Sequence, residues 1–221
     1  MAIAFDNSAD GGLSTADPFE FVYGPSGTPK GVIVVIAKAT GLVDSVNGVT
    51  YGGVAMTRVA MAFKTSGEGG RIWVYFLGAS IPTGDQTVSI DTDGLGAELA
   101  AFVITVTAGT AQTAVNGFNE FINSDSQENP SGTQTLNSIS SFVAEILFSG
   151  QNAIGGITPS TGWTNVGEND LGTATCGCYR YDTIGTSDVT VGWTQTAEDA
   201  IGISFAIKEL TAGARSQGYI F

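Results

Sequence analysis

Apolar residues along this chain recur with a period of two, the period of β-strands, and not the 3.6 of helices. Gly31–Lys38 (GVIVVIAK) is a continuous β-branched run, which marks a strand covered on both faces. Arg71–Leu77 (RIWVYFL) is of the same kind, with Ile72, Val74 and Phe76 on one side and Trp73, Tyr75 and Leu77 on the other. Asn47–Val59 reads as two short strands around Gly52-Gly53, because paired glycines supply the positive φ angles of a tight hairpin turn. Gln86–Asp91 alternates with Val88 and Ile90 inward, after a turn at Pro82–Asp85. A helical reading competes over Leu95–Val106, but Phe102–Thr107 (FVITVT) is too β-branched for it. At the start of the chain, Ile3 and Phe5 alternate with Ala2 and Ala4, which suits a first strand better than a signal peptide.

The second half follows the same grammar. Strands are expected over Gln134–Ser140, Phe142–Ser149, from Gly162 to Val166 and onward, and over Ala174–Tyr181, Asp188–Thr194 and Ala200–Glu209. Gly109–Gln134 is rich in Gly, Asn, Ser and Asp and reads as the longest irregular region, although it carries Phe118, Phe121 and Ile122. Altogether this is an all-β chain of about eleven short strands, with turn signals every 8–12 residues or so, and the expected fold is a two-sheet antiparallel sandwich. No compositional shift divides it, so residues 1–210 are expected to form a single domain, with 211–221 as a C-terminal arm.

Composition narrows the chemistry. The 221 residues include 31 glycines but only 13% charged residues, so Thr and Ser carry much of the solvent face. The net charge of −13 disfavours nucleic acid, whose binders need basic surface, and disfavours an anionic membrane for the same reason. The chain has no His, which removes Ser-His-Asp and Cys-His pairs and the commonest general acid–base. Gly67–Gly70 lacks the Lys of a phosphate-binding loop. Cys176 and Cys178 form a Cys-Gly-Cys pair whose side chains point to one face of a strand, where a direct disulfide would be strained, so two small buried thiols are expected.

Three further groups bear on function. Asp91-Thr92-Asp93-Gly94 resembles the opening of a calcium loop but lacks the remaining ligands, so a turn is the plainer reading and neither metal nor cofactor is expected. Glu98, Glu145 and Glu168 lie nearest to strands among the acids and would be the carboxylates of a glycoside hydrolase, against the simpler reading as solvated charge. Trp73, Trp163 and Trp193 could stack sugars or fill the core; Trp73 and Trp193 lie inside apolar strands.

The segment Val49–Val59 (VTYGGVAMTRV) carries a V-T-x-G-G-x-x-M/L-T-x-V pattern. It is followed by the aromatic strand Arg71–Leu77, the Pro82–Gly84 turn, Thr87–Ile90, Ala101–Ile104, Gly162-Trp163, Tyr179–Tyr181 and the last apolar strand Ile201–Lys208. This order, over residues 30–208, resembles jelly-roll β-sandwich virion proteins of tailed phages, whether capsid decoration (cement), head-fibre or tail components. The resemblance implies a jelly roll, a homo-oligomer and often a trimer, made in the host cytoplasm and incorporated in the virion, with no catalytic motif to carry over. The function expected is therefore a non-enzymatic decoration protein that binds assembled major capsid subunits. The alternative is a glycan-binding module of a tail fibre or baseplate. The apolar chain ends, Ile3 and Phe5 with Tyr219, Ile220 and Phe221, are the segments expected to reach partners.

Overall fold

The computed structural model describes residues 4–39, 44–63, 70–94, 98–107, 115–127, 131–134, 140–149, 156–172, 174–182, 188–195 and 198–208; of these, 115–127, 134, 140–149, 198–199 and 207–208 are described by backbone alone. Among the described residues no helix occurs, and the strands form antiparallel sheets packed on one another as a β-sandwich. The described residues form seventeen strands in four sheets, where about eleven strands and two sheets are expected from the sequence.

In the first half, β1 (Ala4–Ser14), β9 (Leu99–Thr107), β3 (Gly31–Lys38), β7 (Arg71–Leu77) and β6 (Thr57–Phe63) lie side by side in that order. The order β2 (Phe19–Tyr23), β8 (Gln86–Thr92), β4 (Val46–Tyr51), β5 (Val54–Ala55) makes a four-stranded sheet against it. In the second half the five-stranded order is β10 (Val115–Gln127), β17 (Glu198–Lys208), β12 (Ser140–Ser149), β15 (Thr175–Tyr181), β14 (Thr164–Asp170). A three-stranded sheet follows as β11 (Ser131–Gln134), β16 (Val189–Thr194), β13 (Thr158–Pro159).

The two halves are wound alike. In each, the first strand pairs with the last in the large sheet, and the second pairs with the last but one in the small sheet. The registers agree as well. Val35 stands between Phe102 and Val74 in the first half, and Ile146 stands between Ile203 and Cys178 in the second. The outermost strands share a β-bulge, between Arg58 and Ala60 in β6 and between Asn165 and Gly167 in β14, where Thr57-Arg58-Val59 corresponds to Thr164-Asn165-Val166. The turn before that strand repeats a hydrogen bond: the Gly52 amide donates to the Thr87 carbonyl (2.9 Å), and the Ser160 amide to that of Gly192 (3.2 Å). Gly52 and Gly53 have φ of 55° and 77°, so both positions lie where only glycine is at ease, as the hairpin requires.

Strands that are apolar on both sides explain how the halves meet. In β3, Val32, Val34 and Ile36 face the four-stranded sheet, while Ile33, Val35 and Ala37 face away from it. That second face is buried by the other half: Ile33, Val35, Val74, Phe102 and Ile104 share one cluster with Cys176, Cys178, Ile201, Ile203 and Phe205. The four sheets therefore stack as small, large, large, small. The large sheets meet in an approximately two-fold manner, since β1 lies over β14 while its counterpart β10 lies over β6, and β9 meets β14 while β17 meets β6.

Two segments differ from the sequence reading. The region 109–134, expected to be irregular, holds β10 over Val115–Gln127 and β11 over Ser131–Gln134. An edge strand needs only a partner for its backbone, and β17 supplies it despite a non-alternating, polar sequence. The chain's first strand reaches Ser14, well beyond Phe5, because Gly12 at φ 79° and the register shift at Asp10 let it bend with the sheet. The expected arm 211–221 and most of the expected strand 134–140 lie outside the described residues.

Phe102 is wholly buried at the centre of the shared layer. Phe102→Ala is expected to cost about 3–5 kcal/mol in urea unfolding, whereas a loss below about 1 kcal/mol would show that the layer is not close-packed there.

Candidate functional site

The side chains singled out from sequence divide sharply by environment. Cys176 and Cys178 are buried residues on the same face of β15, not joined by a disulfide and pointing into the shared layer. Burial pushes the Cys176 thiol far above its ordinary range, which leaves it inert as a nucleophile or ligand. Asp91 is an exposed residue of β8 and Asp93 follows it in the open. The carboxylate that does bind backbone nearby is that of Asp17, which accepts from the Thr92 amide at 3.0 Å. Among the described residues no group of three or more His, Cys, Asp or Glu could hold a metal ion.

Of the three acids, Glu168 accepts hydrogen bonds from the Tyr179 hydroxyl (2.6 Å) and from Asn165 (3.0 Å), as a structural carboxylate would. Glu98 stands just before β9 in the other half, and Glu145 lies in β12 opposite Tyr179 and Ser204. Ile3, Tyr219, Ile220 and Phe221 lie outside the described residues. Phe5 is half-buried at the seam between halves, where the Arg180 guanidinium lies 3.7 Å from the centre of its ring. Nearby, Asn169 donates to Asp10 at 2.8 Å, and Gly167 leaves room for that carboxylate, since a Cβ there would fall 2.7 Å from Asp10 Oδ2.

A buried polar chain runs inside the first half. The Tyr23 hydroxyl donates to Thr105 Oγ1 (2.7 Å), which donates to Asp6 (2.9 Å). Tyr51 is fully buried close by, its hydroxyl without a hydrogen-bond partner among the described residues, and burial followed by the charges of Asp6 and Asp85 pushes it up to about 12. Burial likewise raises Tyr23, against the Thr105 bond that lowers it. Tyr23, Tyr51 and Thr105 are buried and act as packing.

Two clefts open beside the outermost strands of the large sheets. One, of about 440 Å³ in the first half, is bordered by Asp44, Val46, Met56, Arg58 and Tyr75. Its charges satisfy each other: Arg58 donates to Asp44 at 2.5 Å, and the Trp73 indole donates to the same carboxylate at 2.9 Å. Burial pushes the Asp44 carboxyl up, but the bonds from Trp73 and Arg58 outweigh it and hold it below the usual range. The second cleft, of about 320 Å³, is bordered by Ser160, Thr161, Trp163, Tyr181, Asp188 and Thr190. Trp73 and Trp193 are buried, at 0% and 3% exposure, which leaves Trp163 as the half-buried tryptophan. Its ring packs against Tyr181 with centroids 5.7 Å apart and planes tilted by 52°. The sequence ranked the tryptophans by their strands but gave no sign of Tyr181, whose partnership with Trp163 is made only by the pairing of β14 with β15.

Compared with protein-family models, with curated proteins and with solved structures, the chain finds no match.

The raised tyrosines set an alkaline limit. Below about pH 10 they are neutral folded or unfolded; above it the unfolded chain ionises first, so stability falls as pH rises toward about 12. Tyr51→Phe is expected to flatten that limb and, by removing an unpaired hydroxyl, to leave stability at neutral pH equal or about 1 kcal/mol higher; a neutral-pH loss of similar size would show the hydroxyl to be bonded.

Proposed function

We propose that the chain is a non-enzymatic structural protein of a phage virion, a decoration protein that seats on assembled major capsid subunits as a homo-oligomer, most simply a trimer. The observation that carries this reading is the back-to-back pair of equally wound sandwiches. Each half sets its first strand beside its last and its second beside its last but one, which supports reading the halves as jelly rolls. That winding is used by viral capsid and lectin domains. Placing the V-T-x-G-G-x-x-M/L-T-x-V segment on that winding supports the phage resemblance: Val49–Tyr51 is in β4, Gly52-Gly53 is the turn and Thr57–Val59 opens β6.

The physical logic is one of rigidity and surface. A slab whose large sheets are covered on both faces has little freedom to lose on binding, so many weak contacts with a lattice add without a large ordering cost. The protein's few charges leave Thr, Ser and Gly outside, which suits broad neutral contact. Strand β2 is an open edge of its sheet and carries Val22 at 71% exposure, a ready place for a neighbour's backbone and apolar side chains. The chain ends, Ile3 with Tyr219, Ile220 and Phe221, are proposed as the further contacts.

The test mixes the purified protein with empty capsid shells of the phage that encodes it. Stoichiometric co-sedimentation, lost on removal of residues 212–221, is expected. Absence of the protein from purified particles, or shell occupancy unchanged by the truncation, contradicts the proposal in its general and its specific part respectively.

A further inference from the structure

The two halves can be compared around this turn, because they share strand order, a bulge and a turn hydrogen bond. Trp163 stands one residue before the Thr-x-Val that opens β14, as Met56 stands one residue before the Thr-x-Val that opens β6. Ser160 occupies the place of Gly52, as their matching turn hydrogen bonds show. In the first half the space beside this turn is filled. A Cβ on Gly52 would meet Gln86 Oε1 at 2.3 Å and Pro82 Cγ at 2.9 Å, and Gln86 is tied down by its bond to the Thr83 carbonyl (2.6 Å). In the second half the corresponding space is open and forms the 320 Å³ cleft. The two equally wound halves therefore differ beside this turn.

The open cleft is built around its rings. One part of Trp163 packs on Ile157, Tyr179 and Trp193, so the indole is fixed from below. Tyr181 approaches so closely that a Cβ at position 162 would sit 2.8 Å from its ring, and Gly162 has φ of 94°; both facts require glycine there. Around this platform stand Thr161, Asp188 and Thr190, all exposed, with Ser160, whose hydroxyl donates to the Gly192 carbonyl at 3.2 Å and keeps its lone pairs for a ligand.

From this geometry we infer that the cleft beside Trp163 and Tyr181 is a binding site for a neutral sugar ring. A pyranose has an apolar face of C–H groups and a rim of hydroxyls, which matches an aromatic platform edged by hydroxyl and carboxylate acceptors. Its volume is that of a small ligand's pocket. Anionic ligands are opposed by Asp188 and by the net charge of −13. A quaternary ammonium is best held by several ring faces that converge on it, whereas the described lining of this cleft supplies two rings, packed on each other with planes tilted by 52°. The site is independent of the capsid-binding proposal, since a decoration protein with or without it could seat on a shell.

Tryptophan fluorescence of the full chain, titrated with maltotriose, tri-N-acetylglucosamine and choline, tests this. A saturable change with at least one saccharide is expected, weakened about tenfold or more by Trp163→Ala, the loss of one good ring contact. Thr190→Arg, at an exposed position, fills the cleft without touching the core and is expected to abolish the response by isothermal calorimetry even should Trp163→Ala fold poorly. No saturable response to either saccharide, a response that survives Thr190→Arg, or saturation by choline instead would each overturn the inference.

Discussion

The structure depends on covering the second apolar face of two five-stranded sheets. A sheet in a simple sandwich has one dry face and one wet face, but β3, β7 and β9 are apolar on both. Left uncovered, Ile33, Val35, Val74, Phe102 and Ile104 would make a sticky outer patch on the first half. The second half presents the complementary patch, with Ile201, Ile203, Phe205 and the two cysteines, and the chain joins the two in the manner of an isologous dimer within one polypeptide. Linking the halves makes their association intramolecular, so it does not depend on protein concentration.

Much of this arrangement was written in the sequence, more than a two-sheet reading extracts from it. The runs VIVVIA and RIWVYF identify central strands with both faces buried, and two stacked sheets cannot bury both faces of any strand. A third layer was therefore implied by those residues alone. What remained hidden was the repetition. Sequence similarity between the halves survives in Thr57-Arg58-Val59 against Thr164-Asn165-Val166, but the turn before it is one residue longer in the first half relative to the strand that follows, when counted from Met56 and Trp163 back to Gly52 and Ser160. Core partners also differ in kind, Val74 against Cys178 and Phe102 against Ile203, because a packed layer asks for apolar volume and not for identity. Strand β10 escaped for another reason: backbone pairing at a sheet edge tolerates the Asn, Ser and Asp that usually signal loops.

Site residues were less legible than the fold. Alternation separates buried Trp73 and Trp193 from the rest, yet nothing local announces that Gly162, Trp163 and Tyr181 come together, since they meet through the pairing of neighbouring strands. The same holds at the seam, where Phe5 lies against Arg180 and Asp10 against Asn169 across most of the chain's length. Charge and the missing histidines shift attention from chemistry to surfaces, and the differences between equivalent positions of the two halves then show where a surface has been shaped.

Native-state hydrogen exchange across a denaturant series measures the central dependence directly. If the shared layer makes one unit of the two halves, amides of β3 and β9 and those of β12 and β17 exchange through a single global opening, with one free energy and one denaturant slope. Protection of β3 and β9 that persists at denaturant concentrations where β12 and β17 are already open would contradict that account, by showing that each sandwich stands without the other.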